Sequence, residues 1–252
     1  MRVVSMVPSW TETLLRAGVQ VVGRTRFCIH PAKMITSVPI VGGTKDVDWA
    51  LVKDLKPDLV LLDKEENPLE MAEECPLPYL ATHVNSLKSL QAELVRLGEH
   101  FQNAQLMEWA VDAYDILEAP RAQWNQKQIP GFMDWVRAPS KNYDSVVYMI
   151  WKKPWMSVSR ETYIGSVLEA LGAKVVEFPE GERYPVVEIE DFKSSLFLFS
   201  SEPYPFHKKI GELKELGLEG AIVNGESFSW FGIRSLEFLK EQLLLKNSGV
   251  EK

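Results

Sequence analysis

Cysteine, basic runs and long apolar runs are scarce in this chain of 252 residues, and each scarcity argues against a class of protein. Two cysteines, Cys28 and Cys75, are too few for a disulfide framework. The formal net charge of -7, with no compensating basic run, argues against nucleic acid as the partner. No apolar run approaches the roughly 18–20 residues that span a bilayer. With 46% hydrophobic and 25% charged residues, the composition indicates a globular protein able to bury two modest cores.

The N-terminal segment also lacks the features of a secretory leader. A predicted strand, Val3–Val7, follows Met1 and Arg2 directly, with no charged-then-apolar region and no small-residue cleavage site. We therefore expect a cytoplasmic protein, or a periplasmic one if a leader has been removed.

Short apolar strands alternate with helical segments along both halves of the chain. Continuous apolar strands of this kind are typical of parallel sheets with helices on both faces. The halves share one order, since LLRAGVQVV corresponds to LEALGAKVV and LVLLDKEENP corresponds to LFLFSSEPYP. The sequence thus predicts an α/β protein of two lobes, each with a central, mainly parallel sheet flanked by helices. In the second copy, Lys174–Phe178 is the predicted equivalent of the strand Val19–Gly23.

A long helical segment separates the two halves. Apolar side chains recur at three- and four-residue steps from Asn103 to Lys127, which is helical spacing. Pro120 interrupts this pattern and predicts a kink near Ala119. We expect an N-terminal α/β lobe over residues 1–102, a linking helix over 103–127 and a C-terminal α/β lobe over 128–252.

The loops that follow the predicted strands carry the candidate binding residues. In parallel α/β sheets, ligands bind outside the carboxyl ends of the strands. Two lobes joined by one helix would turn these loops towards a shared cleft, so we expect a small-molecule site there. The candidates are Trp10, Phe27, Cys28, His30, Lys64, Glu65, Glu66, Trp151, Trp155, Tyr204, Trp230 and Arg234.

Aromatic residues are concentrated on the loops of the second half. Trp151, Trp155, Tyr204 and Trp230 all follow predicted strands. As a group they suit a stacking surface for a flat or macrocyclic ligand. Taken singly, each is also explained by packing at the top of a lobe.

Cys28 and His30 raise the alternatives of metal binding or catalysis. A thiolate and an imidazole are two suitable metal ligands, but zinc sites take three or four protein ligands, so this is a weak metal candidate. The main alternative to a binding protein is a cytoplasmic enzyme in which Cys28 is a nucleophile and His30 or His83 is the base. No phosphate loop, serine elbow or zinc-protease motif supports catalysis. A pure interaction module is a third hypothesis.

Charged residues near the same loops have both structural and functional explanations. Glu65 and Glu66 follow a buried strand with Lys64, and they suit either a solvated turn or contacts to ligand amides or a cation. Arg234 suits a ligand anion or one of these carboxylates. Ser9 and Glu12 are spaced as a capping box at the first helix, which we expect to cover Thr11–Ala17.

Several motifs together resemble a known family. The segments VVSMVPSWTETLLRAG, VGG and LKPDLVLL, followed by the linking helix, are similar to the helical-backbone metal receptors. These are class III periplasmic substrate-binding proteins of cobalamin, haem and iron-siderophore importers. The segments KEENP, IWKKPWM, SEPYPF and GESFSWFG resemble a leaderless subgroup. The resemblance implies a non-catalytic protein whose ligand is cobalamin or another metal chelate.

The same resemblance bears on the partner. Secreted members present one glutamate per lobe to an ABC transporter, and Glu161 matches that of the second lobe. Alignment on Lys56 and Pro57 places Ala50 at the first-lobe position. This replacement argues against transporter docking.

Overall fold

The computed structural model describes residues 1–247, so the last five residues of the predicted C-terminal lobe lie outside it. The chain divides into two units. Unit 1 comprises Met1–Asp115 and Phe231–Leu236, and unit 2 comprises Ile116–Trp230 and the chain from Glu237. The predicted boundaries at 102 and 127 differ from this division, which falls inside a helix.

Unit 1 contains a five-stranded sheet in which every neighbouring pair is parallel, in the order β3-β2-β1-β4-β5. Its strands are β1 (Arg2–Ser5), β2 (Gln20–Thr25), β3 (Ile40–Gly42), β4 (Leu59–Asp63) and β5 (Tyr79–Thr82). Its helices, including the one that runs into unit 2, are α1 (Pro8–Arg16), α2 (Ala32–Ile35), α3 (Trp49–Asp54), α4 (Leu69–Glu73), α5 (Leu87–Phe101) and α6 (Ala104–Glu118). Val4, Val60 and Leu62 lie in its core, as expected for strands covered on both faces.

Unit 2 contains a mixed five-stranded sheet in the order β6-β10-β9-β7-β8. Its strands are β6 (Phe132–Arg137), β7 (Val146–Trp151), β8 (Met156–Ser157), β9 (Leu196–Ser200) and β10 (Gly220–Val223). The helices assigned with it are α7 (Tyr163–Ala170), α8 (Ile210–Glu215), α9 (Gly225–Ser229) and α10 (Ile233–Asn247, which begins in unit 1), with 3₁₀ turns at Ile189–Phe192 and Phe206–Lys209. β7, β9 and β10 are parallel, while β6 and β8 are antiparallel edge strands. The prediction of mainly parallel sheets flanked by helices is confirmed.

The predicted helix over Asn103–Lys127 is wrong in length. α6 ends at Glu118, and residues 119–131 contain no further helix. Pro120 explains the stop, because its ring clashes with the preceding turn and its nitrogen has no hydrogen to donate. The chain ends the helix there instead of continuing through a kink.

The predicted strand Lys174–Phe178 is also wrong, since only Val175 forms a bridge, to Val146. The chain beyond β7 turns back, and β8 pairs with Met149 and Trp151 on the same strand. Because β8 pairs along this edge of β7, the 174–178 segment has little of the edge left to pair with.

The start of α1 differs from the predicted capping box. The helix begins at Pro8, three residues before the expected Thr11, and its N-cap Val7 makes no side-chain capping bond. Proline suits the first helical position because the amide hydrogen that it lacks would have no partner there. Ser9 and Glu12 are therefore inside the helix, and Glu12 is free to make a distant ion pair.

Among residues 1–247, every helix is too short or too polar to cross a membrane.

Candidate ligand-binding site

Asp63, the last residue of β4, organises the carboxyl edge of the unit 1 sheet. Its buried carboxylate accepts hydrogen bonds from the Thr82 hydroxyl (2.6 Å) and from the amides of Glu65 (2.8 Å) and Val84 (3.2 Å). One side chain thus fixes the loops after β4 and β5. This role was not predicted from the sequence, although a carboxylate at the end of a buried apolar run was the available signal.

Burial raises the pKa of Asp63, and its hydrogen bonds oppose that shift only in part. The folded protein therefore takes up this proton at a higher pH than the unfolded chain does. Ionised Asp63 lowers stability above its folded pKa, and this penalty disappears as the pH falls towards the ordinary value of 3.8.

We expect Asp63→Asn to remove this pH dependence, because the amide does not titrate. Urea unfolding of both proteins at several pH values between neutral and about 4 measures the effect. The stability of wild type relative to the variant should increase as the pH falls. A constant difference across the series would contradict the burial argument.

Glu65 and His83 form an accessible polar pair at this edge. The His83 Nε2 atom lies 2.8 Å from Glu65 Oε1, and the His83 amide donates to Glu93 Oε1 at 3.0 Å. The side chains of His83 and Glu65 are 42% and 22% exposed, so both are within reach of a ligand. Lys64 is exposed, and the Glu66 carbonyl accepts a bond from Lys45.

Phe27 is the exposed aromatic residue of the loop after β2, at 53% exposure. The guanidinium of Arg26 lies 5.6 Å from its ring centroid and is held by both oxygens of Asp46. His30 is partly buried on the same loop. These residues provide an apolar face with a fixed cation beside it.

Trp10 is a core residue in the structure, and its prediction as a ligand contact is not supported. It is fully buried. Its indole N–H donates to the Thr82 hydroxyl at 2.8 Å, and its ring meets Phe231 edge-on at 5.3 Å. Because α1 begins three residues early, Trp10 packs inward from the helix instead of lying on a loop.

Cys28 is fully buried, which disfavours thiolate chemistry. Its sulfur lies 3.1 Å from the hydroxyls of both Thr11 and Thr25. Burial raises the pKa of the thiol, whereas a nucleophile needs a lowered one. Across residues 1–247, no three His, Cys, Asp or Glu side chains are placed to hold a metal ion, so Cys28 and His30 are not part of such a group.

We expect thiol counting to distinguish the two cysteines. Cys75 is partly accessible and Cys28 is not, so a thiol reagent should modify Cys75 first and Cys28 only after unfolding. With a reagent that releases a coloured thiolate on reaction, absorbance before and after adding denaturant counts the cysteines modified in the folded and unfolded protein. Equal rates in the folded protein would contradict the burial of Cys28. The cytoplasmic assignment itself stays a prediction.

Arg234 pairs with Glu12 inside unit 1. Its Nε and Nη2 atoms donate to Glu12 Oε2 and Oε1 at 2.8 and 3.0 Å. Glu12 is nearly buried, and the neighbouring Ile233 amide donates to the Thr13 hydroxyl. The pair joins the start of α10 to α1, which favours a structural role, and a ligand contact of Arg234 stays a prediction.

Aromatic rings gather at the carboxyl ends of β7 and β9 in unit 2. Trp151, the last residue of β7, is 40% exposed and meets Tyr204 edge-on at a centroid distance of 5.7 Å. Tyr204 in turn lies 4.6 Å from the buried ring of Phe206. Tyr204 therefore packs on the core through Phe206, and Trp151 packs on Tyr204 while staying accessible to solvent.

Trp155 is packed against the core of unit 2 and is less exposed than Trp151. Its ring is parallel to Phe206, with centroids 5.9 Å apart, and the Lys152 ammonium lies 5.4 Å from its centroid. Lys152 also donates to Glu212 at 2.7 Å, which with Lys209 lowers the pKa of that carboxyl. Of the two tryptophans, Trp151 is therefore the better candidate for ligand contact.

Trp230 ends α9, in the loop that follows β10. It is partly buried, and its amide donates to the Glu226 carbonyl at 3.1 Å. Ser229, next to it, donates to the Glu202 carboxylate at 2.7 Å. This bond ties the loops after β9 and β10 together at the same sheet edge.

The two positions considered for partner docking are both exposed. Glu161 precedes α7, and its carboxylate accepts a bond from the Gly181 amide at 3.2 Å. Ala50 is the second residue of α3. Exposure of both positions does not decide whether the protein docks to a transporter. The argument against docking is still that Ala50 stands where a glutamate is expected.

No protein-family model and no curated protein matches this sequence. Solved structures do match its fold over almost its whole length. The periplasmic vitamin B12-binding protein BtuF of Vibrio cholerae is 15% identical with a TM-score of 0.68, covering 98% of this chain and 96% of its own. S. aureus IsdE complexed with heme is 16% identical with a TM-score of 0.71, covering 97% and 98%.

An ABC transporter substrate-binding protein from Listeria monocytogenes also matches. It is 17% identical with a TM-score of 0.69, covering 98% of this chain and 99% of its own. The chain therefore has the α/β fold of these substrate-binding proteins, and the predicted resemblance is confirmed at the level of the fold.

Proposed function

We propose that this chain is a non-catalytic binding protein that holds a metal chelate or corrinoid-like ligand against the loops at the carboxyl ends of its strands. The observation that carries the proposal is the exposed ring of Trp151 at the end of β7, which Tyr204 contacts edge-on from the loop after β9. A flat ligand that stacks on an aromatic ring gains roughly 0.5–1.5 kcal/mol beyond the burial of its surface. Proteins of the same fold bind vitamin B12 and heme, which supports this ligand class.

Unit 1, taken by itself, has a polar surface at the carboxyl edge of its own sheet. The Glu65–His83 pair and the ring of Phe27 lie on loops that follow β4, β5 and β2. Asp63 fixes two of these loops through buried hydrogen bonds, so the pair is held in place before any ligand arrives. A preformed surface of this kind reduces the entropy lost on binding.

A thiol-dependent enzyme is less well supported by the same structure. Cys28 is inaccessible and its pKa is raised, and its closest polar contacts are threonine hydroxyls. A binding protein needs no such nucleophile.

Mass spectrometry of the intact protein, purified from its natural host, tests this proposal. We expect a mass excess that disappears on denaturation, together with visible absorbance from the released chelate. Ligand-free protein is then titrated with cyanocobalamin, iron protoporphyrin IX and a ferric hydroxamate. Neither a bound chelate nor saturable binding of any of these compounds would overturn the proposal.

A further inference from the structure

Positive charge is concentrated beside Trp151, although the chain as a whole carries a net charge of -7. The segments 151–156 and 201–209 lead out of β7 and β9, and Glu202 is their one acidic residue. Their basic side chains are Lys152, Lys153, His207, Lys208 and Lys209. Two loops at one sheet edge therefore have a charge opposite to that of the rest of the protein.

Glu212 neutralises only part of this charge. Its two oxygens pair with Lys152 at 2.7 Å and with Lys209 at 3.2 Å, which also ties the two loops together. Lys153 and Lys208 are exposed, and among residues 1–247 neither ammonium is part of an ion pair. We call these two residues the lysine rim.

The chain at Lys153 has an unusual backbone conformation. Lys153 has a φ of 69°, in the left-handed region that residues with a side chain seldom adopt. It follows Trp151, whose ring contacts Tyr204, and Lys152, whose ammonium pairs with Glu212. Lys153 is therefore an exposed cation two residues beyond the exposed Trp151, on a loop that Glu212 links to the loop after β9.

We propose that the ligand stacked on Trp151 carries acidic groups at its edge, which the lysine rim binds. This inference rests on the proposed function and narrows its ligand class to flat metal chelates with carboxylate substituents. A neutral chelate whose edge bears only amides would gain nothing from two ammonium groups. The lysine rim therefore favours ligands with acidic groups, while Trp151 favours ligands with a flat ring.

Iron protoporphyrin IX and its dimethyl ester make a matched pair of probes, because esterification removes both carboxylates and leaves the flat ring unchanged. Cyanocobalamin serves as a third, uncharged chelate. Binding is followed by absorbance and tryptophan fluorescence at low and high salt. The test variant is Lys153→Gln/Lys208→Gln.

Lys141→Gln/Lys174→Gln is the control variant. It removes the same charge near the amino ends of the strands, since Lys174 lies beside Val146 at the start of β7. At about 3.3 Å per residue, the length of β7 separates Lys174 from the lysine rim by roughly 15–20 Å. A general effect of net charge would appear equally in both variants.

We expect the free acid to bind wild type and the control variant alike. The lysine-rim variant should bind it about three- to tenfold more weakly, the effect expected from two exposed charge pairs. High salt should weaken binding to wild type by a similar factor. The ester should bind more weakly than the acid, and with one affinity for all three proteins.

Two results would overturn this inference while leaving the proposed function intact. One is binding of the free acid that the lysine-rim substitutions do not change. The other is preferential binding of the ester or of cyanocobalamin. If none of the three chelates and no other metal chelate binds, the proposed function itself fails.

Discussion

Replacing Arg234 with leucine is expected to lower the free energy of unfolding by about 3 kcal/mol, because it leaves the carboxylate of Glu12 nearly buried without its partner. The two donors at 2.8 and 3.0 Å are lost together. Arg234 is itself a quarter exposed, so we take the lower end of the range for buried pairs. Urea or thermal unfolding measures the loss.

The double variant Glu12→Leu/Arg234→Leu is the matched control. It removes both charges and leaves an apolar contact, so it should be more stable than the single variant. Ligand affinity should stay unchanged in both proteins if Arg234 is structural. A single variant that keeps wild-type stability but loses affinity would restore Arg234 as a binding residue.

Trp155→Ala is expected to cost about 3 kcal/mol of stability, because its ring packs against the core at Phe206 and contacts the Lys152 ammonium. Trp151→Ala is the matched control, since it is the same substitution four residues earlier at a site that is 40% exposed. We expect it to cost less than 1 kcal/mol, because exposed rings lose less burial when truncated. Melting temperatures of both variants give the comparison.

An equal loss of stability in the two variants would contradict this distinction. Trp151, Trp155 and Trp230 share one sequence feature, since all three follow strands. The structure separates Trp155 from Trp151 by its packing against the core at Phe206. That difference depends on Phe206, about fifty residues further along the chain, and local sequence does not report it.

The repeating order of strands and helices was predictable from the sequence. The runs Leu59–Leu62 and Leu196–Phe199 are apolar throughout, and all residues of the two strands that contain them are buried. Such runs form strands wherever helices cover both faces, so local composition was enough. Helix ends that depend on glycine were also predictable: α7 ends just before Gly172, where an added Cβ would lie 1.8 Å from the Ala122 carbonyl oxygen.

Competition between distant segments was not predictable. Val175 was expected in a strand, but β8 pairs along the edge of β7 and leaves Val175 a single bridge. Glu12 had the spacing of a cap, yet it pairs with Arg234, 222 residues away. In both cases the deciding partner lies far along the chain, so no local pattern records it.

The candidate site was predictable as a set of loops but not residue by residue. The rule that ligands bind beyond the carboxyl ends of parallel strands selected the loops that carry Glu65 and Trp151, and ligand binding there stays a prediction. It did not reveal that Trp10 and Cys28 are buried, or that Asp63 holds two loops in place. Those facts follow from packing in three dimensions.

The most direct test of the account is a fluorescence titration of wild type and Trp151→Ala with the same metal chelates. We expect saturable quenching by at least one chelate in wild type. In Trp151→Ala its affinity should fall by about tenfold, equivalent to about 1.4 kcal/mol, while the melting temperature stays close to that of wild type. Identical affinities in the two proteins, or no saturable binding by wild type, would contradict the claim that Trp151 forms the ligand-stacking surface.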